Sequence, residues 1–250
     1  MLSKSLTITI TCMAVLILSA GYGKVIKGDK IGPDQAEAGF LKIFNGRDLT
    51  GWEGDTRVWS VQNGAITGQI IKDKPLKSNT FLMWRGGKVS DFELCLSYRL
   101  EGGNSGIQFR SRELDNWDVA GYQADLDAGG TWTGYLYDEH GRRTLAARGQ
   151  KVVIDENGKR QVTSIGDPAE LFKYARPGVW NKYHIIARGN ILTLKINGVV
   201  MSEVIDKEKG KADSSGILAL QVHEGPPMKI QFKDIRLKKL ANEDVGSRAN

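Results

Sequence analysis

G-G-N-S-G-I-Q-F-R at 102–110 and G-Y-Q-A-D-L-D at 121–127 are two short runs in which apolar and polar residues alternate. Successive side chains of a strand point to opposite faces, so Ile107 and Phe109 face one way and Gln108 and Arg110 the other. In the second run Tyr122, Ala124 and Leu126 share a face, and Gln123, Asp125 and Asp127 share its reverse. Each strand thus offers an apolar side to a core and a side bearing amide, guanidinium and carboxylate groups. Such a face suits a polyhydroxylated ligand, because every hydroxyl both donates and accepts hydrogen bonds. The plainer alternative is a solvated sheet surface.

The same alternation extends in both directions. Phe92, Leu94, Leu96 and Tyr98 form the core side of a strand whose other face carries Cys95. Asn63-Gly64 and Asn197-Gly198 sit between apolar runs and predict tight hairpins, because Asn-Gly tolerates the positive φ such turns demand. At 133–137 Leu136 faces the core, with Tyr135 and Tyr137 opposite. Residues 151–177 read as an insertion with a small hairpin at Asn157-Gly158. Asp167 and Pro168 are placed to cap and start a short helix. Further strands fall at 180–187, 192–205, 216–223 and 230–240. Roughly a dozen short strands, spaced about 8–12 residues apart with little helix, predict an all-β sandwich or jelly roll.

Composition narrows the function. The 250 residues are 40% hydrophobic and carry a formal charge of +6, but acids and bases are interleaved. A nucleic-acid groove needs clustered Lys and Arg, and the densest pair, Lys238 and Lys239, is an isolated chain-end feature; no nucleic-acid partner is expected. P-loop, dinucleotide-turn, paired-cysteine zinc and nucleophile-elbow motifs are absent. Residues 1–20 have the form of an export signal: Lys4, then an apolar stretch at 6–18, then the small residues of Leu18-Ser19-Ala20. That stretch is too short for a membrane span, so a secreted or periplasmic protein without a stable membrane span is expected. Without Lys4 the charge becomes 34 − 29 = +5, and Cys95 is the only cysteine left, which excludes an internal disulfide. Residues 21–38 read as a linker, 39–240 as the domain and 241–250 as a polar tail.

The order of the blocks resembles a known family. F-N-G-R-D-L-T-G-W at 44–52, W-S-V-Q-N-G-A-I at 59–66 and D-F-E-L at 91–94 are similar to its N-terminal half. N-S-G-I-Q-F-R at 104–110, G-Y-Q-A-D at 121–125 and T-G-Y-L-Y at 133–137 are similar to its centre. W-N-K-Y-H-I-I-A-R-G-N at 180–190, I-N-G at 196–198 and L-Q-V-H-E-G-P-P at 220–227 are similar to its C-terminal part. This is the 3-keto-disaccharide hydrolase domain family, and the resemblance runs over about residues 39–240. It implies a concanavalin A-like, LamG-like jelly roll that acts on 3-keto-glycosides by elimination and hydration.

That chemistry needs a general base, an electrophile for the enolate oxygen and an acid for the leaving oxygen. His223 is suited to act as base or acid, Asp125 as base or as the group orienting His223, and Arg110 to hold the enolate or a hydroxyl pair; that these residues converge is what the resemblance implies. Asn104, Gln108, Gln123 and Gln221 would fix hydroxyls, while Tyr135 and Tyr137 would stack on a sugar ring. His140 reads as a turn residue and His184 as a sheet-surface residue. No cofactor is assigned, and Asp125 with Asp127 or with Asp138 leaves a divalent cation open. Two rivals remain at this stage. One is a non-catalytic sugar-binding module with the same polar face, and the other is a conventional glycosidase using two carboxylates about 5–5.5 Å apart.

Overall fold

The computed structural model describes residues 39–241; the stretches read as signal and linker, and the tail beyond 241, lie outside the described residues. The chain runs through β1 (Leu41–Lys42), β2 (Trp52–Glu53), β3 (Trp59–Gln62), β4 (Ala65–Ile70), β5 (Thr80–Trp84) and β6 (Phe92–Glu101). Next come β7 (Asn104–Glu113), β8 (Val119–Asp127), β9 (Leu136–Glu139), β10 (Arg143–Ala146), β11 (Gln150–Ile154) and β12 (Arg160–Ser164). After helix α1 (Pro168–Phe172) follow β13 (Asn181–Arg188), β14 (Ile191–Ile196), β15 (Val199–Asp206), β16 (Ile217–Val222) and β17 (Met228–Lys239).

These strands form two sheets of a jelly-roll sandwich. The larger has ten strands in the order β12-β11-β15-β14-β13-β6-β17-β4-β3, with β1 also on β17. The smaller has seven in the order β10-β9-β8-β7-β16-β5-β2. Period-two alternation fills the space between them. Phe92, Leu94, Leu96 and Tyr98 of β6 meet Ile107 and Phe109 of β7 and Tyr122, Ala124 and Leu126 of β8, all buried. Phe109 bridges the sheets, edge-on to Phe92 at 6.0 Å and tilted against Tyr122 at 5.7 Å, the offset geometry that aromatic quadrupoles favour.

The Asn-Gly turns behave as their chemistry demands. Asn63 and Gly64 join β3 to β4 at φ 50° and 74°, and Asn197 and Gly198 join β14 to β15 at φ 49° and 86°. Asp167 caps α1, its carboxylate accepting from the backbone N–H groups of Ala169 and Glu170. Residues 151–177, however, are no appended insertion. β11 pairs in parallel with β15 and antiparallel with β12, and its Val152 and Ile154 are core residues, so this segment is the edge of the larger sheet.

One end of the sandwich interior is closed by charge. Arg142 donates to Asp138 at 2.8 Å, to Asp206 at 2.7 Å and to Glu208 at 3.1 Å. Tyr122 Oη donates to Asp206 as well, at 2.5 Å. Burial pushes the Asp206 carboxyl up, but Arg142 and Tyr122 outweigh it and hold the group below its ordinary value. A buried guanidinium shared this way leaves no carboxylate unpaired, which is what makes the arrangement tolerable in the interior.

Candidate active site

The smaller sheet turns its second face away from the core. Register aligns Ala219, Gln108, Gln123 and Tyr137 in one row across β16, β7, β8 and β9. One row further along, Gly106 faces Asp125, and Gln221 follows Leu220, the partner of Ile107. Side chains link the rows into a directional chain. Ser111 Oγ donates to Gln108 Oε1 at 2.5 Å, Gln108 Nε2 to Gln123 Oε1 at 3.0 Å, and Gln123 Nε2 to Asp125 Oδ1 at 2.7 Å. Gly106 makes this possible: a Cβ there would lie 2.4 Å from Gln123 Cδ, so any other residue would push the amide off the strand.

This face is neither solvated nor an open hollow. Gln108 and Gln221 are fully buried, Gln123 is nearly so, and Asp125 is 4% exposed. The β7–β8 hairpin bends its tip over the sheet, where Trp117 O accepts from Phe81 N at 2.8 Å. Beneath the tip, Phe81, Met83, Val119 and Ala219 form a second, small apolar cluster against Trp117 and Ile217. Burial pushes the Asp125 carboxyl well above its ordinary range; the Gln123 bond opposes this, and Glu139 and Asp127 add to it. Asp125 is therefore biased towards its neutral form. Both polar atoms of the Gln221 amide lack a hydrogen-bond partner, a state that costs about 1–3 kcal/mol per group.

Arg110 leaves the face on which period two had put it. The β7–β8 register shifts between Phe109 and Arg112, and Arg110 sits in that bulge at φ 49°. A bulge breaks the alternation of a strand and re-aims its side chains. The guanidinium donates to the carbonyls of Ser90 and Gly189 and to the Asp91 carboxylate, at 2.7, 2.7 and 2.9 Å. It ties the smaller sheet to loops of the larger one and touches neither Asp125 nor His223. The assignment of Arg110 to the enolate is overturned by this placement.

His223 lies at the rim. Its backbone N–H donates to Asn104 O, and Asn104 faces Asp127 across β7 and β8. Strand spacing and rise then separate the Cα atoms of His223 and Asp125 by roughly 12 Å, too far for direct contact. The nearer acid is Glu139, on the same face as Tyr137 by alternation along β9. Burial raises its pKa and Asp118 adds to the rise, while His140 and His223 act against it. Asn79 Nδ2 donates to Glu139 Oε1 at 3.5 Å, and Asn79 Oδ1 accepts from Glu224 N at 3.0 Å. Asn79 immediately precedes β5 and Glu139 ends β9, with β8, β7 and β16 between those two strands, and they meet because twist curls the sheet's diagonal corners towards one another. Glu139, Asn79 and Asp118 were not singled out from sequence. For Glu139 the signal was present, since it follows Tyr137 by two; for the other two it was not.

The tautomer of His223 follows from its partner. Nδ1 lies 2.6 Å from the Glu224 carbonyl oxygen, which can only accept, so Nδ1 carries hydrogen in both protonation states. Nε2 is left to take up or release a proton. His140 Nε2 pairs with Asp118 Oδ2 at 2.8 Å, while His184 pairs with Glu93 on the outer face of the larger sheet at 3.0 Å. Tyr135 packs edge-on against Trp132 at 5.4 Å, and Tyr137 stands half-buried beside the amide chain.

The carboxylates named for a cation do not form a site together. Asp138 pairs with Tyr122 in register and points into the core with it, on the side of the sheet opposite Asp125. Asp127 accepts from the backbone N–H groups of Gly129 and Thr131 at 3.1 and 2.8 Å. Among the described residues no group of three or more His, Cys, Asp or Glu is placed to hold a metal ion. No helix among them is long and apolar enough to cross a membrane.

Residues 39–238 match the model of the 3-keto-alpha-glucoside-1,2-lyase-like domain. No curated protein matches the chain significantly. Among solved structures, a candidate glycosyl hydrolase from Parabacteroides distasonis superposes with TM-score 0.54 at 19% identity, over 84% of this chain and 98% of that one. A second from the same organism gives 0.53 at 16% identity, over 80% and 99%. A Bacillus subtilis protein of unknown function with a galectin-like fold gives 0.52 at 10% identity, over 78% and 92%. At these identities the likeness establishes the sandwich fold.

Proposed function

The chain belongs to the 3-keto-alpha-glucoside-1,2-lyase-like domain family, and on that premise we propose that it cleaves 3-keto-glycosides at the corner formed by Glu139, His223 and Asn79. It is a carbohydrate-active domain by family; the 3-keto substrate and the exported location suggested by residues 1–20 are part of this reading. A ketone at C3 acidifies the hydrogen on C2. The Glu139 carboxylate removes that proton and the electron pair moves into an enolate at O3. Collapse of the enolate breaks the C1–O bond, and protonated His223 delivers hydrogen from Nε2 to the departing oxygen. Water then adds across the resulting enone, hydroxyl to C1 and hydrogen to C2, for net hydrolysis. Asn79 Nδ2, which already reaches Glu139, is the donor available to the enolate oxygen or a neighbouring hydroxyl.

One observation carries the assignment: Asn79 bonds both the half-buried Glu139 carboxyl and the backbone N–H of Glu224, the residue whose carbonyl accepts from His223 Nδ1 and commits that nitrogen. A base is most effective when its pKa approaches the working pH, and burial moves Glu139 in that direction. The bond from Nδ1 to the Glu224 carbonyl holds the ring in one orientation through a proton-transfer cycle.

The conventional glycosidase loses its support, since Asp125 is buried on Gln123 and Asp127 caps a loop, so neither flanks an open site. A binding-only module keeps one observation in its favour: the Ser111-Gln108-Gln123-Asp125 chain satisfies itself and needs no chemistry. Kinetics separate the two. With ordinary and 3-keto disaccharides as substrates, Glu139→Gln and His223→Ala should each lower kcat on the keto substrate by about 10²–10⁴-fold and leave its affinity nearly intact. Full turnover in either variant would remove that residue from the reaction, and no turnover by the wild type would leave a binding module.

A further inference from the structure

Acids and bases interleave along the chain, but the larger sheet sorts them. Four of its adjacent strands, β14-β13-β6-β17, contain nine Lys or Arg and three Asp or Glu, so that 9 − 3 = +6. That excess equals the formal charge of the whole chain. Inward positions of these strands are apolar core, so alternation puts all of the charges except Lys239 on the outer face.

In β17 the alternation needs a device to stay in phase. Lys229 and Lys233 face outward, and an unbroken strand would then turn Ile235 out and Arg236 and Lys238 in. Instead the register with β6 shifts between Lys233 and Arg236, Asp234 takes φ 54°, and Ile235 is fully buried. This bulge adds one residue and resets the phase. Lys229, Lys233, Arg236 and Lys238 thereby form one stripe, roughly 25–30 Å long by strand rise.

More positive charge lies beside the stripe. Ser97 and Cys95 of β6 face Lys233 and Arg236, with Lys182 and His184 beyond them on β13 and Lys195 beyond His184 on β14. The carboxylates of β6 stand at the two ends, Glu101 opposite Lys229 and Glu93 opposite Lys238. Asp234 accepts from Ser97 Oγ at 3.2 Å. Among the described residues no carboxylate pairs with Lys182, Lys195 or Lys233.

Like charges held in a row repel one another, and an extended polyanion lying along them relieves that repulsion. The surroundings select its class. No large hydrophobic side chain is exposed on β6, β13 or β17, so nothing there would enter a lipid surface. The aromatic rings at its borders already carry cations: Lys233 and Arg99 lie 4.4 and 5.3 Å from the Trp180 ring, and Lys238 and Arg236 lie 5.8 and 6.0 Å from Phe40. The platforms on which a nucleobase would stack are therefore occupied. A hydroxylated, carboxylate-bearing chain needs neither feature, and the domain is of a carbohydrate-active family. We propose that the outer face of the larger sheet docks an anionic polysaccharide, its carboxylates lying along the β17 stripe and reaching Lys182 and Lys195. Glu139 and His223 stand on the smaller sheet, so this site holds whether or not they are the reacting pair.

Polygalacturonate is the probe, titrated calorimetrically into the intact protein at low salt. Binding should weaken as salt rises and should not be reproduced by neutral dextran. Lys182→Glu with Lys233→Glu puts two negative charges in the middle of the face and should weaken binding about tenfold or more. Lys182→Gln with Lys233→Gln, the milder pair should charge reversal disturb folding, should weaken it about threefold to tenfold. Lys72→Glu with Lys88→Glu lies on loops off this face, changes the net charge as much as the first pair, and should leave affinity within about twofold of wild type. The proposal is overturned if polygalacturonate does not bind, or if the loop pair weakens it as much as the sheet pair. It is equally overturned if the sheet pair abolishes binding of phosphatidylglycerol vesicles or single-stranded DNA and spares polygalacturonate.

Discussion

Replacing Arg110 with lysine tests whether that residue serves the fold or the reaction. Its side chain is only 2% exposed and satisfies two backbone carbonyls and one carboxylate at 2.7–2.9 Å. A lysine keeps the charge but ends in a single ammonium, which cannot reproduce a planar fork reaching three acceptors at once. Stranding one or two of them costs about 1–3 kcal/mol each, so Arg110→Lys should lose roughly 2–4 kcal/mol. For a domain of this size each kcal/mol moves Tm by about 2–4 °C, which gives a fall of roughly 5–15 °C. Thermal unfolding by circular dichroism measures the loss. A parallel assay on a 3-keto-disaccharide, at a temperature where the variant is fully folded, should find kcat/KM within about threefold of wild type. An unchanged Tm with activity down about 100-fold or more would refute the reasoning and return Arg110 to the active site.

Other perturbations probe the same architecture. Asp125 has a folded pKa raised above its unfolded value, so the native state binds the extra proton and stability falls as pH climbs from the ordinary carboxylate range through the folded pKa. Asp125→Asn should therefore stabilise the protein at neutral pH and flatten that slope in denaturant melts recorded against pH; a loss of stability at neutral pH would show that the carboxylate form is needed. Gly106→Ala forces a Cβ to within 2.4 Å of Gln123 Cδ and should cost about 1–3 kcal/mol by overpacking, measured by urea unfolding. Arg142→Met strands Asp138 and Asp206 in the interior and should lose about 3–5 kcal/mol, seen as a drop in the urea midpoint.

The fold was legible because its signals are local. Alternation along β6, β7 and β8 marks the core side without knowledge of any neighbour, and Asn63-Gly64 and Asn197-Gly198 mark their hairpins by backbone conformation alone. The site was legible only as far as alternation is unbroken. Gln108, Gln123, Asp125 and Gln221 do share one face, as period two requires. Arg110 does not, because a bulge two residues from the end of the regular pairing turns it inward, and no residue type nearby announces the bulge. That the shared face would be buried could not be read either, since its cover comes from the hairpin tip at Trp117 and from the twist that brings Asn79 to Glu139. Both are long-range consequences of sheet curvature. Segment 151–177 failed for a related reason: β11 joins its sheet through a parallel partner some 50 residues away, which no local pattern predicts.

The central claim is that the C2 proton of a 3-keto-glycoside is removed at Glu139 before the glycosidic bond breaks. Turnover in D2O, stopped early and read by NMR of the released 3-keto-sugar, tests it most directly. Elimination followed by hydration must place a solvent deuteron on C2 in the wild type, and Glu139→Gln must release sugar and exchange the C2 hydrogen about 10²–10⁴-fold more slowly. A product that retains its original C2 hydrogen, or a Glu139→Gln variant that exchanges it as fast as the wild type, would contradict the account.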